Sequence, residues 1–402
     1  MDFGRVIYDH RVINAEDPVK NIMNTQFDAE LFGRDRGTDH ILVASILLLA
    51  GLGLVTLYSS SYAFAQRFFG NGYYFITRQI LLGTFGIVLF FLASIINLEL
   101  VRKLIKPLVL GCIILCILTF VPGIGVRKNG AARWIGIAAY TYQPSELVKL
   151  ILPLYLAHFF DKKKQNIDVL FRGIIPPALI TGVFFVLIFL QNNFSTAVFL
   201  AFNALFIFYL AGVRFRYFFS ALFMFVPTAA LLVLKKEHRI RRFLSYLQPE
   251  FEPQGAGYQV NSSILSISSG GFWGKGVGQG TRKISSVPEV HSDFIFSSFA
   301  EEAGFLGIML FCLLFTVFAI RGYLASMRNE NSFNRLLGCG LVTMIVSQVL
   351  LNIAVVAGAL PATGVPLPFF SAGGSSLATT LVMAGLVVNV SRSSKKHSNE
   401  EV

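Results

Sequence analysis

Long apolar runs separated by short polar segments make up most of the chain between residues 41 and 391. Each run is close to the ~20 residues that a helix needs to cross the hydrocarbon core of a bilayer. The runs are too long and too uniformly apolar for barrel strands, so we expect helices. The pattern therefore predicts an all-α integral membrane protein with ten transmembrane helices. The runs are residues 41–59, 75–96, 104–122, 144–160, 173–190, 194–212, 217–234, 294–320, 336–358 and 374–391.

The distribution of Lys and Arg between the short loops predicts the orientation of these helices. With the N-terminus inside, the inner segments hold twenty basic residues and the short outer loops hold five. Cytoplasmic loops carry the excess of Lys and Arg. Both termini, the tails 1–40 and 393–402, are therefore predicted to be cytoplasmic around a ten-helix membrane domain, 41–392.

Residues 235–292 then form a large extracytoplasmic loop between the seventh and eighth helices. Loops of this length are largely exempt from the orientation rule, but they usually have a function. Apolar residues recur at 243–247 and 264–267. We expect this loop to fold against the outer membrane surface, partly as an amphipathic helix.

The composition agrees with this class of protein. Of 402 residues, 54% are hydrophobic and only 14% are charged, whereas soluble proteins carry about 25% charged residues. A soluble enzyme, a disordered chain and a free nucleic-acid binder are excluded, despite a net charge of +12. The four cysteines lie in apolar runs without disulfide or zinc spacing.

Asp293 gives the strongest local signal for chemistry, because it lies at the membrane edge directly before an apolar helix. One interpretation is a helix N-cap formed by Ser292 or Asp293, and position alone favours it. The other is a general base or metal-binding carboxylate facing a lipid headgroup, with His291 nearby.

Four further ionisable residues lie inside apolar runs, where such residues are paired or functional by default. Glu146 and Lys149 are three residues apart and share one helix face. Lys149 must therefore line the bundle interior or a wet cavity. Glu301 and Glu302 either line a cavity or form a structural pair with Lys149 or an arginine.

Three loops have unusual compositions. Residues 127–135 are basic and contain Trp134, which suits either an interfacial anchor or a positive face for phosphate. The glycine-rich segment 270–280 matches no nucleotide-binding pattern. It is better explained as a flexible, close-packing loop, although its backbone amides could bind pyrophosphate. Residues 360–376 are uncharged and rich in Pro and Gly, which predicts a re-entrant or broken segment buried in protein.

Together and in this order, the motifs resemble the SEDS family of bacterial cell-wall proteins: FtsW, RodA and SpoVE. The resemblance covers about residues 41–392. The motifs that carry it are Asn129–Trp134, Gln143–Lys149, Phe243–Gly257, Pro288–Phe296 with Ala300–Glu302, and Leu360–Ser376.

The resemblance implies a peptidoglycan glycosyltransferase that polymerises lipid II at the outer face of the cytoplasmic membrane. The catalytic acidic residue of the family falls on Asp293, which would take the proton of the acceptor hydroxyl. The candidate headgroup and pyrophosphate contacts are Arg133, Glu146, Lys149, Lys275, Arg282, Lys283 and His291. The candidate structural and cavity residues are Glu301, Glu302, Pro368, Gly373, Gly374 and Ser375.

The form of residues 129–135, the ending 388–392 and the polar N-terminal tail favour the FtsW branch, which implies septal synthesis in the inner membrane. Two positions depart from the family. Asn192–Thr196 replaces the frequent Pro-Asp-(Phe/Leu)-Gly-Thr, so no role of that Asp carries over. Ala372 replaces the usual Tyr, so an aromatic contact is missing.

The implied partners are lipid II, a class B penicillin-binding protein, other divisome proteins and membrane lipids, with no nucleic acid. A divalent cation, Mg²⁺ or Mn²⁺, would help to stabilise the leaving pyrophosphate, and no organic cofactor is expected. Four alternatives stay open: a RodA-type elongation polymerase, a lipid II flippase that forms no bond, a secondary transporter, and a scaffold that needs no Asp293.

Overall fold

In the computed structural model, the described residues are 38–128, 130–137, 140–167, 169–220, 256–280 and 292–393, together with 223, 240 and 246. They include ten α-helices and one small sheet, and residues 215–220 are helical as well. The helices are α1 (His40–Phe69), α2 (Tyr74–Ile95), α3 (Leu98–Leu118), α4 (Pro144–Lys162), α5 (Ile175–Leu190), α6 (Phe194–Leu210), α7 (Ala256–Gly270), α8 (Ile295–Met327), α9 (Ser332–Val356) and α10 (Gly374–Ser393). The strands are β1 (Gly125–Lys128), β2 (Ala131–Ile137) and β3 (Tyr140–Tyr142).

The helices confirm most of the apolar pattern. Nine of the ten predicted runs coincide with helices, and the run 217–234 lies largely outside the described residues. Within the described residues, six helical segments are long and apolar enough to cross a membrane. The helix α6 is shorter, with 17 residues, and α3 carries four charged residues in its first turns.

The sheet was not predicted, because residues 125–142 resemble a basic loop. The strands pair antiparallel in the order β1-β2-β3, with Val126 opposite Trp134 and Gly136 opposite Thr141. The sequence Asn-Gly at 129–130 is a strong hairpin signal, and Gly130 has a positive φ of 72°. The signal was therefore present, but the sequence of β2 does not alternate between polar and apolar residues.

The helix α7 confirms that the long loop is partly helical, and its buried face is rich in serine. Ser262, Ser263 and Ser266 are buried, whereas Leu265 is 51% exposed. The Ser263 hydroxyl donates to the Val356 carbonyl oxygen at 2.7 Å. Small side chains allow this close approach, so α7 packs on the protein through these serines together with Val260 and Ile267.

Two long elements are interrupted. Gly304 breaks α8 with φ 63° and ψ −165°. The glycine-rich segment fills the break: the Phe305 amide donates to the Gly271 carbonyl oxygen at 3.0 Å, and the Gly276 amide donates to the Glu302 carbonyl oxygen at 3.0 Å. The expectation of a close-packing loop at 270–280 is thus confirmed.

The segment between α9 and α10 is the other interruption, and we call it the linking segment (residues 357–373). It contains no regular helix. Leu367, Phe369 and Phe370 are nevertheless at most 3% exposed. Phe370 packs edge-on against Phe311 of α8, with ring centroids 5.3 Å apart. The prediction of a broken segment buried in protein is confirmed for residues 365–371, whereas residues 360–364 are half-buried or exposed.

Candidate functional site

Asp293 lies in the turn directly before α8 and is half-buried. Its Oδ1 atom accepts a hydrogen bond from the Ser292 hydroxyl at 3.1 Å. The N-cap position of α8 is Phe294, whose side chain makes no capping hydrogen bond. The interpretation of Ser292 or Asp293 as the N-cap is therefore wrong, since the N-cap position falls one residue after Asp293 and two after Ser292.

The linking segment forms one side of the surroundings of Asp293. Gly364 has a positive φ of 71°, and a Cβ atom built on it would lie 3.3 Å from Asp293 Oδ2. Asn352 of α9 joins the two segments, because its Nδ2 atom donates to the carbonyl oxygens of both Asp293 (2.8 Å) and Val365 (2.9 Å). Backbone and carboxylate of Asp293 are thus both next to residues 364–365.

A buried ion pair lies behind the same segment. Lys149 is 1% exposed and Glu146 is 3% exposed. The Lys149 Nζ atom donates to Glu146 Oε1 at 2.8 Å and to Gln348 Oε1 at 3.0 Å. Gln348 Nε2 in turn donates to the Pro366 carbonyl oxygen at 2.8 Å. The predicted pairing of Glu146 with Lys149 inside the bundle is confirmed, and Pro144 at the first position of α4 starts this helix just before the pair.

Gln348 and Asn352 connect the ion pair with Asp293. They are four residues apart, hence on one face of α9, and they hold the consecutive carbonyl groups of Pro366 and Val365. We name these five residues the site cluster: Glu146, Lys149, Asp293, Gln348 and Asn352. Sequence reasoning missed the two amides, although two buried polar residues one turn apart in an apolar helix are a recognisable signal.

Glu301 and Glu302 belong to a different set of contacts. Lys275 Nζ donates to Glu301 Oε1 at 2.6 Å, and the Ser59 hydroxyl lies 2.7 Å from both carboxylate oxygens of Glu302. The Gly278 amide donates to the Ser59 hydroxyl at 3.0 Å. The expected structural pairing is found at Glu301, but its partner is Lys275 and not Lys149, because the glycine-rich segment returns to α8. We name Ser59, Lys275, Gly278, Glu301 and Glu302 the latch cluster.

The remaining predicted residues are dispersed. The Arg133 guanidinium donates to the Asn192 carbonyl oxygen and lies 6.0 Å from the Trp134 ring centroid. Pro368 is buried in the linking segment, and a Cβ atom on Gly374 would lie 2.1 Å from the Leu82 side chain. Gly373 and Ser375 are half-buried at the same junction. Arg282, Lys283 and His291 lie outside the described residues.

One titratable group of the sheet is strongly shifted. Burial raises the pKa of the Tyr142 phenol well above its usual value, and the nearby Cys112 and Glu146 raise it further. Tyr142 therefore stays protonated near neutral pH, two residues before the start of α4.

Comparison with known proteins decides the family. The model of the FtsW/RodA/SpoVE family, described as "Cell cycle protein", matches residues 39–396. The chain is 35% identical to "Probable peptidoglycan glycosyltransferase FtsW" of Geobacter sp. (strain M18), over 89% of this chain and 98% of the relative. It is 36% identical to "Stage V sporulation protein E" of Bacillus subtilis (strain 168), again over 89% and 98%.

The chain belongs to the FtsW/RodA/SpoVE family. Solved structures agree with this assignment. A structure described as "Structural coordination of polymerization and crosslinking by a peptidoglycan synthase complex" matches with a TM-score of 0.73 and 30% identity, over 89% of this chain and 98% of that one. Thermus thermophilus RodA matches with a TM-score of 0.66 and 28% identity, over 89% and 97%. Family membership and the long apolar helices together make this a multi-pass membrane protein.

The two departures from the usual FtsW/RodA/SpoVE pattern have structural counterparts. Asn192 has a positive φ of 59°, and its Nδ2 atom donates to the Gly130 carbonyl oxygen at 3.1 Å. In this family member, the α5–α6 junction therefore holds the hairpin of the sheet. Ala372 is half-buried and packs against the core.

Proposed function

We propose that this chain is a peptidoglycan glycosyltransferase that polymerises lipid II. Relatives that are 33–36% identical over about nine-tenths of the chain carry that activity in their names. The observation that supports the proposal most is Asp293, a half-buried carboxylate backed by Asn352 and Gly364 at the start of an apolar helix.

In the proposed reaction, Asp293 is the general base. Its carboxylate takes the proton of the 4-hydroxyl of the acceptor sugar, whose pKa is far above 7. The hydroxyl oxygen attacks the anomeric carbon of the donor, a new glycosidic bond forms, and the bond to undecaprenyl pyrophosphate breaks. The pyrophosphate leaves with the bonding electron pair, and basic groups facing it would stabilise the charge.

The proposed topology follows from this chemistry. Ten transmembrane helices with both termini in the cytoplasm put the start of α8 at the outer face, where the donor and acceptor headgroups would meet Asp293. The excess of Lys and Arg in the predicted inner loops supports this orientation. Arg133, Lys275, Arg282, Lys283 and His291 remain candidates for headgroup contacts, although Lys275 also pairs with Glu301.

A divalent cation, Mg²⁺ or Mn²⁺, stays part of the proposal. In the part of the chain that the structure describes, no three His, Cys, Asp or Glu side chains converge to hold a metal ion. Mg²⁺ is often held by one or two carboxylates together with substrate phosphates, and Asp293 could supply such a carboxylate. The cation would neutralise charge on the leaving pyrophosphate, and the proton transfer described above does not require it.

The proposed cellular role is septal cell-wall synthesis in the inner membrane with a class B penicillin-binding protein and other divisome proteins. Several relatives are named FtsW, and a similar structure is described by polymerisation and crosslinking in one complex. A RodA-type elongation role is the competing assignment, because the RodA structure also matches over 89% of the chain.

The test is polymerisation of fluorescent lipid II by the purified chain with its penicillin-binding partner, whose transpeptidase is blocked. Wild type should make glycan chains and Asp293→Ala should make none. The matched control is Asp161→Ala, which removes a carboxylate paired with Arg102 at the far end of α4, ~22 Å along the helix from Glu146. The control should polymerise normally.

Two results would count against the proposal. Synthesis of glycan chains by Asp293→Ala would show that Asp293 is not the general base. No chains from any variant, together with lipid II crossing liposome membranes, would favour a flippase that forms no bond.

A further inference from the structure

Asn352 has an unusual position in the site cluster. It is 2% exposed one turn before the end of α9, and its Nδ2 group uses both hydrogens. One goes to the Asp293 carbonyl oxygen at 2.8 Å and the other to the Val365 carbonyl oxygen at 2.9 Å. A single amide group thus fixes the distance between the turn that carries Asp293 and the linking segment.

The neighbouring glycine makes this distance important for the carboxylate. A Cβ atom on Gly364, one residue before Val365, would lie 3.3 Å from Asp293 Oδ2. The backbone at residue 364 therefore lies directly beside the Asp293 carboxylate. A shift of Val365 relative to Asp293 would therefore also shift the Gly364 backbone relative to the carboxylate.

We propose that Asn352 is a positioning residue for Asp293 in the glycosyl-transfer step. This inference rests on the proposed function, in which Asp293 is the general base. Asn352 touches neither reacting atom in this account. It sets the place of the carboxylate through the backbone, and a base must lie within hydrogen-bond reach of the proton that it takes.

The competing explanation is that Asn352 only satisfies two buried carbonyl groups. The chain provides a matched case of that role. Asn389 of α10 is 8% exposed, and its Nδ2 atom donates to the carbonyl oxygens of Ala93 (2.8 Å) and Ile96 (2.7 Å) at the end of α2. Asn389 makes the same kind of hydrogen bonds as Asn352. The bonds of Asn389, however, connect α10 to the end of α2, and not the segments around Asp293.

The experiment compares Asn352→Leu with Asn389→Leu in the full chain with its partner, using fluorescent lipid II. Each variant keeps the approximate side-chain size and removes two hydrogen bonds to backbone. We expect Asn352→Leu to lower kcat about 10- to 100-fold with KM little changed, because a small misplacement of a catalytic group has an effect of this size. Asn389→Leu should keep kcat.

A second readout does not depend on turnover. Hydrogen exchange of the backbone amides at 294–299 and 365–371 should become faster in Asn352→Leu and stay unchanged in Asn389→Leu. Asn352→Gln, which keeps the amide group, should have a higher kcat than Asn352→Leu. If Asn352→Leu unfolds, Asn352→Gln and Asn352→Ser provide the same comparison with a donor retained.

The outcomes separate the two proposals. Equal kcat values for the two Leu variants, with Asp293→Ala inactive, would overturn the positioning role and leave the general base intact. Wild-type polymerisation by Asp293→Ala would overturn both. A kcat loss in Asn352→Leu that simply follows its loss of folded protein would also contradict positioning.

Discussion

The site cluster and the latch cluster both bury charged side chains next to a break in regular structure, yet they use them differently. In the latch cluster, Glu301 is 0% and Glu302 is 6% exposed, and both carboxylates contact residues from distant parts of the chain, Lys275 and Ser59. In the site cluster, the ion pair is equally buried, but Asp293 is only half-buried and lies just before the start of α8.

This difference separates two uses of charge in an apolar chain. The latch cluster closes the break at Gly304 by tying α1 and the glycine-rich segment to α8. The site cluster uses Lys149, Gln348 and Asn352 to fix backbone around a carboxylate that is only half-buried. We expect substitutions in the latch cluster to act on stability, and substitutions at Asp293 to act on turnover.

The largest effect should come from Asp293→Asn, which keeps the shape of the side chain and removes the base. General-base catalysis contributes about 10²- to 10⁴-fold, so kcat for lipid II polymerisation should fall by that factor. The thermal unfolding of the detergent-solubilised chain should not change, because the carboxylate is not the helix cap. A large drop in unfolding temperature would show that Asp293 stabilises the fold, which is a structural role.

The ion pair of the site cluster should affect stability next most strongly. Lys149→Met leaves the Glu146 charge buried, which should lower the free energy of unfolding by about 3–5 kcal/mol. The double variant Glu146→Gln, Lys149→Met removes both charges and should recover most of that loss. Denaturant unfolding in detergent measures both. Equal losses in the single and double variants would show that the unpaired Glu146 charge is not the cause of the loss.

The break in α8 gives a third prediction. Gly304→Ala puts a side chain into a backbone region that is almost restricted to glycine, at a cost of about 1–3 kcal/mol, and its Cβ would lie 2.2 Å from the Gly274 amide nitrogen. Gly51→Ala is the control, because a Cβ atom there meets nothing within 4 Å. The unfolding temperature should fall for the first variant only. Equal unfolding temperatures would mean that the break is not needed.

Ser59→Ala should have the smallest effect. It removes the hydroxyl between Glu302 and the Gly278 amide and leaves a buried carboxylate less well bonded, at a cost of about 1–3 kcal/mol. The control is Ser268→Ala on the exposed side of α7, whose hydroxyl bonds within its own helix. Turnover per folded molecule should be unchanged in both. A loss of turnover in Ser59→Ala only would contradict the separation of the two clusters, because it would show that the latch cluster also acts on catalysis.

The sequence predicts the parts of this molecule that depend on local pattern. Apolar runs of about twenty residues predict helices because few other structures satisfy the backbone in lipid. The pair Glu146 and Lys149 was also predictable, since three residues separate them on one helix. Asp293 was singled out by its position next to an apolar run, although position alone favoured a helix cap.

The rest depends on where distant segments return. Lys275 reaches Glu301 only because the glycine-rich segment folds back onto α8, and no periodicity encodes that path. Gly304 looks like an ordinary helical glycine until the neighbouring backbone is known. Asn352 looks like a buried amide, and only the return of the linking segment shows that it joins Val365 to Asp293.

The most direct test of the central claim is a side-by-side comparison of Asp293→Asn and Glu302→Gln. Each variant changes one carboxylate to an amide, one in each cluster, and polymerisation of fluorescent lipid II is normalised to the amount of folded protein. We predict that Asp293→Asn is stable and makes no glycan chains, whereas Glu302→Gln is less stable and makes chains at the wild-type rate per folded molecule. Chains from Asp293→Asn, or a stable Glu302→Gln that makes none, would contradict the account.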